Sequence, residues 1–259
     1  MDKEQLTAHL RGEAEQEIGA IIVDLARQAW DHNRPQVTRF FDPYERRVAQ
    51  SVLAGIPEVA ALTFGGYNRA ERARMVIYPQ FFLTEAIESP IAVLQVTGGH
   101  SSVGHRDFLG ALLGTGIKRD KVGDIIIIDQ GCQVVVAAEI VNYLLTHWTH
   151  VGSYPIQLQL IDEEQLAVEP ERIKEIRATV ASLRLDAVAA AGYGVSRTKL
   201  VREIKAERVK VNWRVIDNPA FQVESGDVIS LRGRGRLVLQ EVRGTTRKGR
   251  ISVLLQRYL

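Results

Sequence analysis

Hydrophobic positions in residues 90–161 switch repeatedly between strand-like and helix-like spacing. Alternating or continuous apolar runs predict strands, whereas apolar positions three and four residues apart predict helices. The predicted strands are residues 91–96, 124–128, 134–137 and 156–161, and the predicted helices are residues 105–113 and 138–147. The order βαββαβ predicts a ferredoxin-like domain, in which both helices lie on one face of a four-stranded antiparallel sheet.

The chain on either side of this domain has different patterns. Residues 1–89 predict a mixed section of helices and a strand pair: helices 4–32 and 43–53, and strands 59–64 and 74–78. Residues 162–180 are rich in Glu and Lys and predict a linker that ends in a helix. We therefore predict an α+β protein divided into residues 1–89, 90–161, a linker over 162–181, and 182–259.

The last of these domains begins with two predicted helices. Apolar residues recur at helical spacing at Leu183, Leu185, Val188 and Ala189. We expect Gly192 and Gly194 to end this helix with positive φ, and Ser196 to cap the next one. A strand pair should follow, with Val209 and Val211 on one side of Asn212-Trp213-Arg214 and Val215 and Ile216 on the other.

Charge is distributed unevenly along the chain. Residues 181–259 contain 16 Lys and Arg against 7 Asp and Glu, a net charge of +9. The other 180 residues contain 17 against 24, a net charge of −7, so the formal total of +2 hides a polarised molecule. A basic region of this kind suits electrostatic capture of a polyanion such as RNA.

Composition sets outer limits on the protein class. With 259 residues, 46% of them hydrophobic, the chain is long enough for two or three packed domains. It has neither an apolar run of membrane-span length nor an apolar secretory start, so we expect a cytoplasmic protein without membrane insertion. The single Cys132 lies in an apolar strand, which predicts a buried structural thiol.

The segment that begins at Gly99 is partly similar to three kinds of enzymatic site, but it lacks a required residue or spacing of each. His105-Arg106-Asp107 is similar to a kinase catalytic loop, but the residue expected to be the metal-binding Asn is Leu112. The spacing of Gly99 and Gly104 is similar to a phosphate loop without its Lys-Ser/Thr, and His100, His105 and Asp107 lack the spacing of a metal site. Surface cations, or an RNA-phosphate contact, are the remaining interpretations of this segment.

The C-terminal region resembles the alpha-L RNA-binding motif, also called the S-four domain. The matching residues are Arg184-Leu185-Asp186, Ser196-Arg197, Val209 to Asn212 and Gly226-Asp227. One departure is Trp213, which stands where many members have Gly in the hairpin turn. A turn with positive φ is less favourable for Trp, so the turn type is open. The Trp213 ring is expected either to stack on an RNA base or to fold onto the sheet.

Motifs upstream extend a resemblance over nearly the whole chain. They are Phe64-Gly65-Gly66-Tyr67 with Ala70-Glu71-Arg72, His105 to Gly110, Gly116-Ile117-Lys118-Arg119 and Gly123-Asp124-Ile125. In this order they resemble the YlmH family of bacterial RNA-binding proteins. Three further segments look most like its cyanobacterial and plastid branch, labelled photosystem II S-four domain protein: Asn212-Trp213, Arg232 to Leu237 and Gln256 to Leu259. The resemblance implies binding to ribosomal RNA of the large subunit and, in some members, rescue of subunits blocked by peptidyl-tRNA.

Two other classes of function remain open. The S-four motif is also appended to RNA-modifying enzymes, which would make this chain an accessory of ribosomal RNA maturation, but no nucleotide-binding strand-turn-helix is found upstream. Alternatively, the acidic N-terminal part could dock a protein partner in cell division or photosystem II assembly. We expect a non-catalytic, monomeric protein without cofactor or metal that binds ribosomal RNA, with transfer RNA as a further candidate ligand.

The hypothesised RNA-binding residues follow from the motif and the local charge. They are Arg184, Ser196, Arg197, Lys199, Arg202, Lys205, Lys210, Asn212, Trp213, Arg232, Arg234 and Arg236. A second RNA contact is hypothesised at His105, Arg106, Lys118 and Arg119. In the ferredoxin-like domain, the candidate central strand, residues 133–137, has no aromatic residue, so its sheet is not expected to be the usual base-stacking platform.

Overall fold

The computed structural model describes residues 2–98, 103–168, 170, 172–246 and 249–258. The chain divides into two compact units, Met1–Val168 and Glu169–Leu259. None of the helices in the described ranges is both long and apolar enough to cross a bilayer.

The first unit begins with a small helical layer on a three-stranded sheet. Its helices are α1 (Lys3–Thr7), α2 (Glu13–His32) and α3 (Pro43–Leu53), and its strands are β1 (Gln36–Val37), β2 (Val59–Phe64) and β3 (Arg74–Pro79), in the order β1-β3-β2. The prediction of one helix over 4–32 was wrong, because Gly12 has φ 90° and separates α1 from α2. The predicted start of α3 is confirmed, since Asp42 forms a capping box with Glu45.

The second part of this unit has the predicted ferredoxin-like plan. It contains β4 (Ile91–Gly98), α4 (His105–Gly114), β5 (Val122–Ile128), β6 (Gly131–Ala137), α5 (Val141–His147), β7 (His150–Val151) and β8 (Tyr154–Ile161). The sheet order is β5-β6-β4-β8-β7, and all of its pairs are antiparallel. The short β7 adds a fifth strand that the sequence did not predict. Cys132 is buried, as predicted, and burial raises the pKa of its thiol to about 12.

One face of this sheet is covered by residues from outside the βαββαβ unit. The buried Gln133 of β6 donates from Nε2 to the Gln165 carbonyl at 3.0 Å, and its Oε1 accepts from the Ala167 N–H at 2.6 Å. Phe40 packs beside Gly123 and Val135, so that a methyl group at Gly123 would lie 2.8 Å from its ring. The centre of the sheet is therefore closed to a stacked base.

The second unit is a six-stranded antiparallel sheet with two helices. It contains β9 (Ile173–Val180), α6 (Leu185–Tyr193), α7 (Arg197–Lys205), β10 (Val209–Val211), β11 (Arg214–Val215), β12 (Val228–Leu231), β13 (Gly235–Thr245) and β14 (Ile251–Tyr258). The strand order is β11-β10-β12-β13-β14-β9. The prediction of a helix at the end of residues 162–180 was wrong, because β9 pairs with β14 along its whole length. Charged residues between Ile173 and Val180 obscured an alternation in which Ile176, Ala178 and Val180 pack on the core.

The two glycines near the end of α6 have different roles. Gly194 is the left-handed C-cap at φ 64°, as predicted. The expectation of positive φ at Gly192 was wrong, because that residue lies inside the helix. A methyl group there would lie 2.2 Å from Leu237 Cδ2, so Gly192 allows α6 to approach β13 closely.

Candidate RNA-binding site

A buried carboxylate at the start of α6 holds two of the hypothesised RNA-binding arginines. Arg184 donates to Asp186 through Nε and Nη2, both at 3.1 Å, and Arg197 donates through Nε at 2.9 Å and Nη2 at 3.1 Å. The Asp186 side chain is only 2% exposed, whereas those of Arg184 and Arg197 are 36% and 51% exposed. One carboxylate thus orients two guanidinium groups at the surface, each through a bidentate pair.

The ionisation of Asp186 is maintained by the same contacts. Burial acts to raise the pKa of the carboxyl, but the hydrogen bonds and positive charges of Arg184 and Arg197 outweigh burial and lower the pKa. The hydrogen bond to Asp186 raises the pKa of Arg184 in turn. We call Asp186, Arg184 and Arg197 together the Asp186 clamp. The clamp carries one negative and two positive charges, and its net positive charge faces solvent.

Replacing Asp186 by Asn is expected to weaken RNA binding about tenfold, although it removes a negative charge from an RNA-binding surface. The reason is that Asn cannot accept two bidentate guanidinium pairs, so both arginines lose their fixed orientation. Fluorescence anisotropy of the full chain with ribosomal RNA measures this affinity. The exposed Asp217→Asn is the matched control, for which we expect no loss. Equal or tighter binding by a folded Asp186→Asn variant would show that Asp186 does not position the arginines.

Helix α7 presents a second group of cations. Ser196 caps it as predicted, because its Oγ accepts from the Lys199 N–H at 3.3 Å. The side chains of Lys199, Arg202 and Lys205 are exposed, and none forms an ion pair within the described ranges. Arg208, just beyond the helix, pairs with Glu203 at 3.2 Å instead. The α7 cations are therefore available to phosphate groups.

The β10–β11 hairpin turns at Asn212 and Trp213, which have φ 50° and 68°. Positive φ at both positions is the type I′ pattern. Trp213 therefore adopts a backbone conformation that is unfavourable for a Trp residue. Asn212 donates to Asp227 Oδ1 at 2.7 Å and accepts from the Val228 N–H at 3.0 Å, which anchors the turn to β12. Asn212 thus has a structural role, and base stacking by the half-buried Trp213 stays a prediction.

The hypothesised residues do not form a single surface. Lys210 lies between the buried Val209 and Val211, and Arg236 directly precedes the buried Leu237. Because side chains alternate along a strand, Lys210 and Arg236 point away from the helices. The helix side carries Arg184, Ser196, Arg197, Lys199, Arg202 and Lys205. Arg232 and Arg234 lie in the turn that joins the ends of β12 and β13.

The second hypothesised contact lies in the first unit and is divided. Arg119 donates to the carbonyl oxygens of Val122 and Gly123, and burial together with repulsion from Arg72 lowers its pKa to about 10. Burial and Arg119 also lower the pKa of His105. Arg119 therefore packs structurally against β5, whereas Arg106 and Lys118 are exposed. Residues 99–102, which include Gly99 of the phosphate-loop pattern and His100 of the metal pattern, lie outside the described residues.

Asp124 connects three of the upstream motifs through hydrogen bonds. Its carboxylate accepts from the Tyr67 hydroxyl at 2.8 Å, the Glu71 N–H at 2.7 Å and the Arg72 N–H at 3.1 Å. Burial raises the pKa of Asp124 despite these hydrogen bonds. The 64–72 loop is thereby tied to the ferredoxin-like domain, which is a structural function of these residues.

Sequence reasoning missed two residues of the C-terminal surface. The motif includes Asp186 but does not indicate its role. An acidic residue between arginines in a basic segment is nevertheless a signal that it pairs with them. Tyr258 was missed because its position beside Arg236 depends on strand register. The only sequence signal for it is the strand pattern of residues 251–258.

Comparison with known proteins finds matches to three segments of the chain. Family models match residues 14–81 ("YlmH, N-terminal"), 90–165 ("Putative RNA-binding domain in YlmH") and 183–229 ("S4 domain"). A Bacillus subtilis protein, "Ribosome-associated protein quality control protein P2", is 36% identical over 226 residues, which cover 86% of this chain and 88% of the relative. "Small ribosomal subunit protein uS4" of Desulfotalea psychrophila is 37% identical over 70 residues, 26% of this chain and 33% of that protein.

A solved structure shares the fold. "Cell division protein ylmH from Streptococcus pneumoniae" superposes with a TM-score of 0.54 at 18% identity, over 60% of this chain and 96% of that one. The fold, the clamp and the S-four match define a modular RNA-binding protein of α+β class. The chain belongs to the YlmH family.

Proposed function

We propose that this chain binds ribosomal RNA of the large ribosomal subunit through the helix side of its C-terminal unit and acts in ribosome quality control. The Asp186 clamp carries this proposal, because a buried carboxylate that directs two guanidinium groups outward builds a rigid phosphate-binding surface. The net charge of +9 over residues 181–259 adds the long-range attraction that captures RNA. The name of the Bacillus subtilis relative supports the ribosomal context.

The mechanism in this proposal is placement of RNA without covalent chemistry. The exposed Lys199, Arg202 and Lys205 extend the phosphate contact from the clamp along α7. Transfer RNA on the same subunit is a further ligand of this surface, and the protein works in the cytoplasm as a monomer. If instead the chain modified RNA, nucleoside mass spectrometry of ribosomal RNA incubated with it would detect a new modified base.

Sedimentation with purified ribosomal subunits tests the proposal. We expect the full chain to pellet with large subunits and to remain in the supernatant with small subunits. Because binding releases counterions from phosphates, the logarithm of the affinity should fall linearly with the logarithm of salt concentration, by about 0.7 to 0.9 for each phosphate contact. Pelleting with small subunits alone, or no pelleting at physiological salt, would overturn the assignment to the large subunit.

A further inference from the structure

Four polar side chains form a row across the sheet of the C-terminal unit. Lys210 of β10 pairs with Ser230 of β12, and Ser230 pairs with Arg236 of β13. Tyr258 of β14 follows Arg257, which pairs with Leu237, so Tyr258 lies opposite Arg236. We call these four residues the sheet row. At about 4.8 Å between strands, it spans about 14 Å from Lys210 to Tyr258.

The sheet row lies on the face of the sheet that the helices leave uncovered. Residues adjacent to the row, Val209, Ile229, Leu231 and Leu237, are all buried in the core beneath α6 and α7. Lys210 is exposed, and Ser230, Arg236 and Tyr258 are half-buried. The row continues onto the two neighbouring strands. Val215 of β11 pairs with Lys210, Ile173 of β9 pairs with Tyr258, and they are 44% and 42% exposed. Each of the four side chains of the sheet row is therefore at least partly exposed, on the face of the sheet opposite the core.

The row combines an aromatic ring with cations. The Arg236 guanidinium lies over the Tyr258 ring, 5.3 Å from its centroid. Bases of single-stranded RNA stack on aromatic rings and on guanidinium planes, while phosphates pair with neighbouring cations. The ferredoxin-like sheet cannot supply such a platform, because Gln133 and the 165–167 segment close its centre.

We propose that the sheet row binds single-stranded RNA, with a base stacked on the Arg236–Tyr258 pair and a phosphate on Lys210. This inference rests on the proposed function and adds a second RNA surface to it. The Arg232–Arg234 turn links the two surfaces, because the Arg232 N–H donates to the Arg208 carbonyl beyond α7 and Gly235 pairs with Leu231 in the sheet. The net charge of +9 over residues 181–259 favours RNA over a basic protein partner at this face.

Binding of two RNA probes to the full chain tests the proposal. The probes are a fluorescein-labelled oligouridylate of about 12 nucleotides, which spans a single-strand site, and a duplex of the same length. Tyr258→Ala is expected to weaken oligouridylate binding about tenfold, since one stacked base is lost, and to leave duplex binding within about twofold. Tyr258→Phe keeps the ring and should bind like the wild type. Tyr154→Ala removes a tyrosine of the first unit that is 39% exposed, and it should have no effect.

A second measurement does not depend on a variant. Photocrosslinking of 4-thiouridine in the oligouridylate, followed by peptide mass spectrometry, should identify the peptides that contain Tyr258 and Lys210. Any of three results would contradict the proposed binding to the sheet row. They are unchanged oligouridylate affinity in Tyr258→Ala, crosslinks confined to α7, and no oligouridylate binding by the wild type. If the wild type pellets with large subunits but one of these results is obtained, the proposal for the sheet row is wrong and the proposed function stands. The proposed function fails separately, through the subunit sedimentation.

Discussion

Reversing two charges on α7 is expected to reduce binding to large ribosomal subunits about 100-fold at physiological salt. In Lys199→Glu with Arg202→Glu, two proposed phosphate contacts become two repulsions on adjacent turns of one helix face. Both side chains are exposed and form no ion pair in the described ranges, so their replacement leaves the packed core unchanged. Arg197 is a poorer choice, because a glutamate there would face the buried Asp186 and destabilise the unit.

Sedimentation with purified large subunits over a range of salt concentrations measures this effect. The salt dependence of the variant should also be shallower, by about one unit of slope for each lost contact. Arg11→Glu with Arg34→Glu produces the same change in net charge on exposed residues of the first unit and is the matched control. If the control loses as much affinity as the α7 variant, total charge and not the α7 surface determines binding.

Replacing Gly131 by Ala is expected to destabilise the ferredoxin-like domain by about 3 kcal/mol or more. Gly131 has φ 142°, and a methyl group there would lie 2.0 Å from the carbonyl oxygen of Val96. That oxygen belongs to the backbone of the central strand β4, so it cannot move without disturbing the pairing of β4 with β6. The substitution thus adds a backbone clash to the strain of a positive φ.

Hydrogen exchange of β6 amides measures this loss within one unit of a two-unit protein, where a single unfolding transition is not expected. Gly152→Ala is the matched control, because Gly152 also has positive φ, 60°, but has no atom within 4 Å of the added methyl group. Its cost should be about 1 kcal/mol, from strain alone. Equal losses of stability at the two positions would show that β4 and β6 move apart enough to accommodate the methyl group.

The places where sequence interpretation failed share a cause. Residues 162–180 have several charges and were expected to be a linker that ends in a helix. Residues 173–180 instead form β9, because β14 supplies a partner strand along its full length. Positive φ was expected at both Gly192 and Gly194. Gly192 is instead needed because Leu237, distant in the sequence, packs against it too closely for a side chain. In each case the deciding neighbour lies outside the window of residues that a local pattern includes.

The candidate site was predicted in its residue types but not in its arrangement. The motif residues Arg184 and Arg197 lie together because both pair with the buried Asp186, which directs them. Asn212, expected to contact RNA, is engaged by Asp227 and Val228. Lys210 and Arg236 lie on the opposite side of the sheet from the helix cations, because the register of β10, β12 and β13 sets their direction.

The sequence by itself determined the local elements of this protein and the polarity of its charge. Asp42 and Ser196 cap their helices, Gly194 ends α6, and the βαββαβ order appears where periodicity predicts it, since each signal acts over a few residues. Only the tertiary structure decided which surfaces are available to RNA. It closed the ferredoxin-like sheet with Gln133 and brought Tyr258 beside Arg236, because strand pairing joins residues that are distant in the chain.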